Sequence, residues 1–142
     1  MIIGGQEYEG NLFSLFQSNV TTSDKLATYI SSIFYPTASV ETIQTPVKTC
    51  SSSASDSSPY HTGFFNELNP GFKLLASVVG DLLFTLTWRT FLQSALAAHP
   101  CMPAWSYLSS YDYGTPVLGT LDSSDMMQVF NGILPNYAAK SM

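Results

Sequence analysis

The stretch MIIGGQEYEG, residues 1–10, joins a β-branched pair to two glycines and then to two carboxylates. Ile2 and Ile3 suit a pleated strand, and Gly4-Gly5 let that strand turn sharply. GQEYEG therefore reads as a loop at a strand end, with Glu7 and Glu9 at its mouth. Acids at the carboxyl ends of strands sit where α/β sheets place their active sites.

A second acidic strand end lies far along the chain. TPVLGTL, residues 115–121, reads as a short buried strand or extended segment that stops at Asp122 and Asp125 in GTLDSSD. Ser123-Ser124-Asp125 would cap a helix MMQVFNGIL, with Met127, Phe130 and Ile133 turned inward.

Between these ends the chain is mainly helical. Thr21 to Asp24 offer caps for KLATYISSIF, whose Leu26, Tyr29, Ile30 and Ile33 share one face, and Pro36 stops it. Ala38 to Thr45 suit one or two further turns. Residues 49–58, TCSSSASDSS, read as a flexible Ser-rich surface loop that continues to Pro70. The strongest pattern is GFKLLASVVGDLLFTLTWRTFLQSALAAH, residues 71–99, a long helix opened by Asn69-Pro70 and closed by Pro100. It is apolar round most of its circumference, which suits the middle of a larger body. AWSYLSSY then alternates as a strand, and Asp112-Tyr113-Gly114 marks a turn. The order is that of an α/β chain without internal repeats, a single domain over residues 1–142.

Composition narrows the function. Five basic residues against ten acidic ones give a net charge of −5, so no basic patch exists for nucleic acid. Only 11% of residues are charged, well under the usual quarter, as in a chain that expects cover on several sides. No basic n-region followed by an apolar h-region opens the sequence, so no signal peptide is expected. The apolar run Leu74–Leu86 is interrupted by Asp81 and is too short to span a bilayer. Asn19-Val20-Thr21 is a sequon that would carry a glycan only in a secretory setting, so the compartment stays unassigned. Cys50 and Cys101 have no zinc-ligand spacing; a disulfide and two thiols both remain open.

Motifs exclude several chemistries. There is no Gly-x-Ser-x-Gly elbow, P-loop, dinucleotide fingerprint or HExxH. Read as residues alone, Glu7 is a solvated loop acid and Asp125 a helix cap. A glycosidase-like pairing of Glu9 with Asp122 is the remaining catalytic option. His61 and His99 read as solvated or capping groups.

The stretches GQEYEG, NVTTSDKLATYI, SPYHTGFFNELNPGFKLLASVVGDLLFTLTWRTFL, WSYLS and TPVLGTLDSSD together resemble the fungal lipases of the type-B carboxylesterase family. The resemblance runs from Met1 to about Asn136. It implies a partial α/β-hydrolase fold, an incomplete mostly parallel sheet with packed helices, and a Ser, Glu, His triad in that chain order.

Within that resemblance Glu9 matches the triad acid. Asp122 fills the slot of the triad histidine, and Asp125 matches the following loop-organising acid. The serine, the oxyanion loop and the lid belong to a more N-terminal portion that this chain does not match. Trp88 stands where the family often has a basic residue. The family is mostly secreted, acts on carboxylic esters or lipids, and needs no cofactor or metal.

Asp122 would disable such a site. An aspartate with a pKa of about 4 is a far weaker base than a histidine of about 6.5. It would also repel Glu9, so one of the two would keep its proton to higher pH. The expected protein is a truncated lipase-like chain, inactive alone. Two other readings stand beside it: a non-catalytic binding or assembly module, and a piece of a longer active esterase. Exposed apolar surface would favour self-association or a partner chain.

Overall fold

The computed structural model describes residues 1–110 and 115–130. Strand β1 (Ile2–Gln6) is followed by helices α1 (Glu9–Ser14), α2 (Ser23–Ile33) and α3 (Val40–Thr49), then a 3₁₀ turn at Ala54–Asp56. Helix α4 (Phe72–Val79) continues through a π-helical segment, Gly80–Thr85, into α5 (Leu86–Ala98). Strand β2 (Trp105–Ser109) pairs parallel with β1, Ile2 opposite Trp105 and Gln6 opposite Ser109, and α6 (Ser124–Val129) follows.

The core gathers where α2, α3 and α4 meet. Leu26, Ala27 and Ile30 of α2 pack with Ile43 and Val47 of α3 against Leu74, Leu75, Val78 and Val79 of α4. Each fully buried aliphatic here contributes roughly 1.5–3 kcal/mol. Thr22 and Ser39 cap α2 and α3, accepting from Lys25 N–H and Thr42 N–H. Ile33, expected on the inner face of α2, is exposed, because the buried face runs through Leu26, Ala27, Ile30 and Ser31.

Several expectations change. Glu9 does not lie in an open loop; it begins α1, whose EGNLFS sequence is too short to show helical periodicity. Residues 115–121 form turns rather than an extended segment, with Val117 and Gly119 both at positive φ. Phe130 is 76% exposed rather than inward, while Ile133, the side chain of Met127 and the turn at 112–114 lie outside the described residues. The Ser-rich loop does not stay at the surface throughout, since Ser57 and Ser58 are buried. Cys50 and Cys101 are free thiols.

The long helix divides into two unlike halves. Every residue of α4 is buried and none of α5 is. The run Phe72–Ala98 is uninterrupted over 27 residues, so by length and composition it is long and apolar enough to cross a membrane. That revises the reading of 74–86 as too short, although the α4 half is a core helix packed inside the protein. Its entrance is built by charge. Glu67 Oε1 and Oε2 accept from Gly71 N–H at 2.7 Å and Lys73 N–H at 3.0 Å. Lys73 is fully buried, and its ammonium donates to Thr62 Oγ1 and Gly63 O, both at 2.8 Å. Burial pushes its pKa down, opposed in part by the charge of Glu67.

Candidate functional site

Glu9 and Asp122 stand on two segments that the fold ties together. Glu7 N–H donates to Ser109 O at 2.9 Å and Tyr8 N–H to Thr120 O at 3.1 Å, so the end of β1 is held by β2 and by the 115–122 turns. Asn11 completes the tie. It is fully buried, its Nδ2 donates to Leu118 O at 2.9 Å, and its Oδ1 accepts from Ser58 Oγ at 2.7 Å. Gly119 sits at φ +57° with the Tyr8 ring where a Cβ would project, so only glycine fits.

Glu9 is 8% exposed. Its Oε1 accepts from Gln6 N–H at 2.7 Å and reaches over Gly5, where an added Cβ would lie 2.6 Å away. The Trp88 indole Nε1 lies 3.7 Å from the same point. Trp88 thus places an N–H donor beside the acid loop. Ile3, Glu9, Leu83, Phe84, Trp88 and Phe91 line an apolar cavity of about 320 Å³ at this point.

Asp122 is the other neighbour. Burial pushes the Glu9 pKa up to about 7; the Gln6 N–H opposes the rise, while contact with the Asp122 carboxyl and the charges of Asp122 and Asp125 add to it. Asp125 lies within the first turn of α6 rather than at its N-cap, and its Oδ1 accepts from Met126 N–H at 2.8 Å. The N-cap is Ser123, at φ 74°, without a side-chain cap bond.

Other acids and histidines stand apart from this pair. Glu7 is engaged by Tyr8, whose phenol is pushed up to about 12 by burial first and then by the Glu7 carboxylate. His61 and His99 are exposed, on the 59–70 loop and at the end of α5. Asn19 of the sequon is exposed in the turn before α2. Among the described residues no group of three or more His, Cys, Asp and Glu side chains is arranged to hold a metal.

The raised Glu9 pKa fixes a pH response. Between about 4.5 and about 7 the folded chain binds more protons at Glu9 than the unfolded chain, so this group's contribution is present at low pH and lost as pH rises. Glu9→Gln keeps a neutral group at this position. Thermal melts from acid to neutral pH are expected to show the parent falling by roughly 5 °C relative to Glu9→Gln. Parallel curves would refute the raised Glu9 pKa.

No family model matches the chain. Curated relatives do. It is 50% identical over all of its 142 residues to the secreted triacylglycerol lipase LIP1 of Gibberella zeae. It is 52% identical over 140 residues, 99% of the chain, to secreted lipase 1 of Botryotinia fuckeliana.

The chain belongs to the fungal lipase family.

Lipase 2 of Diutina rugosa is more distant, 37% identical over 127 residues, 89% of this chain. The lipase-family chain spans 24% of the length of the Gibberella and Botryotinia proteins and 22% of the Diutina one. It is therefore a fragment relative to them, with a mixed helix and strand architecture compatible with part of an α/β fold.

Proposed function

We propose that this chain is the acid-and-base-loop quarter of an α/β-hydrolase lipase, and that by itself it does not hydrolyse esters. The observation that carries the reading is the meeting of Glu9 and Asp122. In this reading Glu9 holds the position of the triad acid, Asp122 that of the histidine, and the ester or lipid substrate of the family would lie against the apolar cavity beside Glu9.

The chemistry follows from what two carboxyls can do. A triad base removes a proton from serine and later returns it to the leaving group, with the acid stabilising the charged base. Glu9 cannot stabilise an anionic Asp122, because both groups carry charge of one sign. Holding a proton on Glu9 relieves the repulsion and leaves an aspartate too weakly basic to activate a serine. Nor does the sequence contain a serine elbow. Three buried polar side chains near this loop, Gln6, Thr120 and Ser124, have atoms with no hydrogen-bond partner among the described residues. Such groups are costly to bury.

Assay of the purified 142-residue chain on short p-nitrophenyl esters is expected to give no turnover above buffer. Turnover that co-purifies with the chain and disappears in Glu9→Gln would overturn the reading. The share of the relatives covered favours a second possibility, a piece of a longer esterase. An in-frame Gly-x-Ser-x-Gly upstream of Met1 in the transcript would establish it.

A further inference from the structure

We propose that the turn Thr62–Phe65 is a cation site built for a primary ammonium ion, and that Lys73 supplies that ion from the first turn of α4. Three oxygens converge on one point there. The Lys73 ammonium donates to Thr62 Oγ1 and Gly63 O, both at 2.8 Å, and reaches Phe65 O at 3.5 Å. The two short contacts have the length of charge-assisted bonds. Three acceptors match the three N–H donors of an ammonium group.

The helix itself gives no reason for a cation at this position. A helix N-terminus favours negative charge, and a lysine in the first turn works against the macrodipole. Glu67 already serves that end, accepting from Gly71 N–H and Lys73 N–H with its two oxygens. None of the three oxygens around the ammonium belongs to a carboxylate. A fully buried charge is costly without partners, and here neutral oxygens replace its water, as carbonyls do in other monovalent-cation sites.

The turn is shaped for this inward view. Phe65 N–H donates to Thr62 O at 3.1 Å and closes it. The Thr62 hydroxyl donates to Pro59 O at 2.7 Å, which turns its acceptor side to the lysine. His61, Gly63 and Asn66 hold φ of 63°, 58° and 67°, a region uncommon for residues with side chains. Oxygen dipoles gathered in this way repel one another unless a cation stands between them. Lys73 is thus a positioning residue for the turn, and every group that makes the site lies within residues 59–73.

Chemical rescue tests the inference. Lys73→Ala removes the propylammonium end of the side chain. Melts of this variant are expected to rise by roughly 5 °C, with saturation, as propylammonium is added, but not with 1-propanol or tetramethylammonium. The parent should not respond. Equal effects of propylammonium and tetramethylammonium, or none from either, would overturn the proposal. So would a Lys73→Met chain as stable as the parent, since packing of the apolar stem would then account for the lysine. Thr62→Val keeps the lysine and removes one acceptor, which provides a test if Lys73→Ala fails to fold. Acetic anhydride should then acylate Lys73 at least about tenfold faster than in the parent, measured against exposed Lys25. An unchanged rate would show that these oxygens do not hold the ammonium.

Discussion

Gly10→Ala is expected to cost about 3 kcal/mol or more and to leave the chain largely unfolded at 37 °C. Gly10 is the point where α1 crosses the long helix. A Cβ there would collide with Ala76 O and would lie 2.6 Å from Gly80 N and 2.9 Å from the Ala76 carbonyl carbon. These are backbone atoms and have no rotamer to give. The two segments would have to separate, opening the contact between α1 and the buried face of α4. The comparison that isolates this cause is Gly63→Ala. Gly63 has nothing within 4 Å of a Cβ and differs only in its φ of +58°, so the cost there is about 1–2 kcal/mol. Urea denaturation of both variants checks the ordering. Equal midpoints would mean that the helices readily part.

Asn11→Ala is expected to cost about 3 kcal/mol, read as a shift in the urea midpoint. Asn11 joins three segments: α1, on which it sits, the 117–118 turn and Ser58 at the end of the Ser-rich loop. Truncation removes those bonds and leaves the buried Ser58 hydroxyl without its acceptor. Asn11→Asp retains an acceptor for Ser58 but loses the donor to Leu118 O, so it separates the two halves of the role. A loss below about 1 kcal/mol for Asn11→Ala would show that the Tyr8–Thr120 backbone bond alone holds the turn segment.

How much of this was legible in the sequence depends on the kind of signal. α2, the long helix and β2 carry periodicity, and the structure has them where the pattern puts them. The pairing of Glu9 with Asp122 came only from the family resemblance, because nothing in the spacing of two acids 113 positions apart links them. α1 was missed because six residues beginning in Glu-Gly give no helical stripe. Asn11 and Ser58 were missed for another reason. A buried polar pair has no local signature, and a serine run reads as solvent-exposed until a partner from a distant segment is known. TPVLGTL failed through conformation: Val117 at φ 66° and Gly119 at φ +57° bend an apolar run that composition alone would extend.

The buried lysine at the entrance to α4 has a consequence for how the protein breathes. Lys73 fastens the loop at Thr62 and Gly63 from below, while Glu67 fastens the same loop to the first helical amides. Releasing the lysine alone would strand the fully buried Lys73 ammonium without its oxygen acceptors. Residues 62–73 are thus bound into one cooperative opening unit, with its own free energy, set between frayed ends and global unfolding.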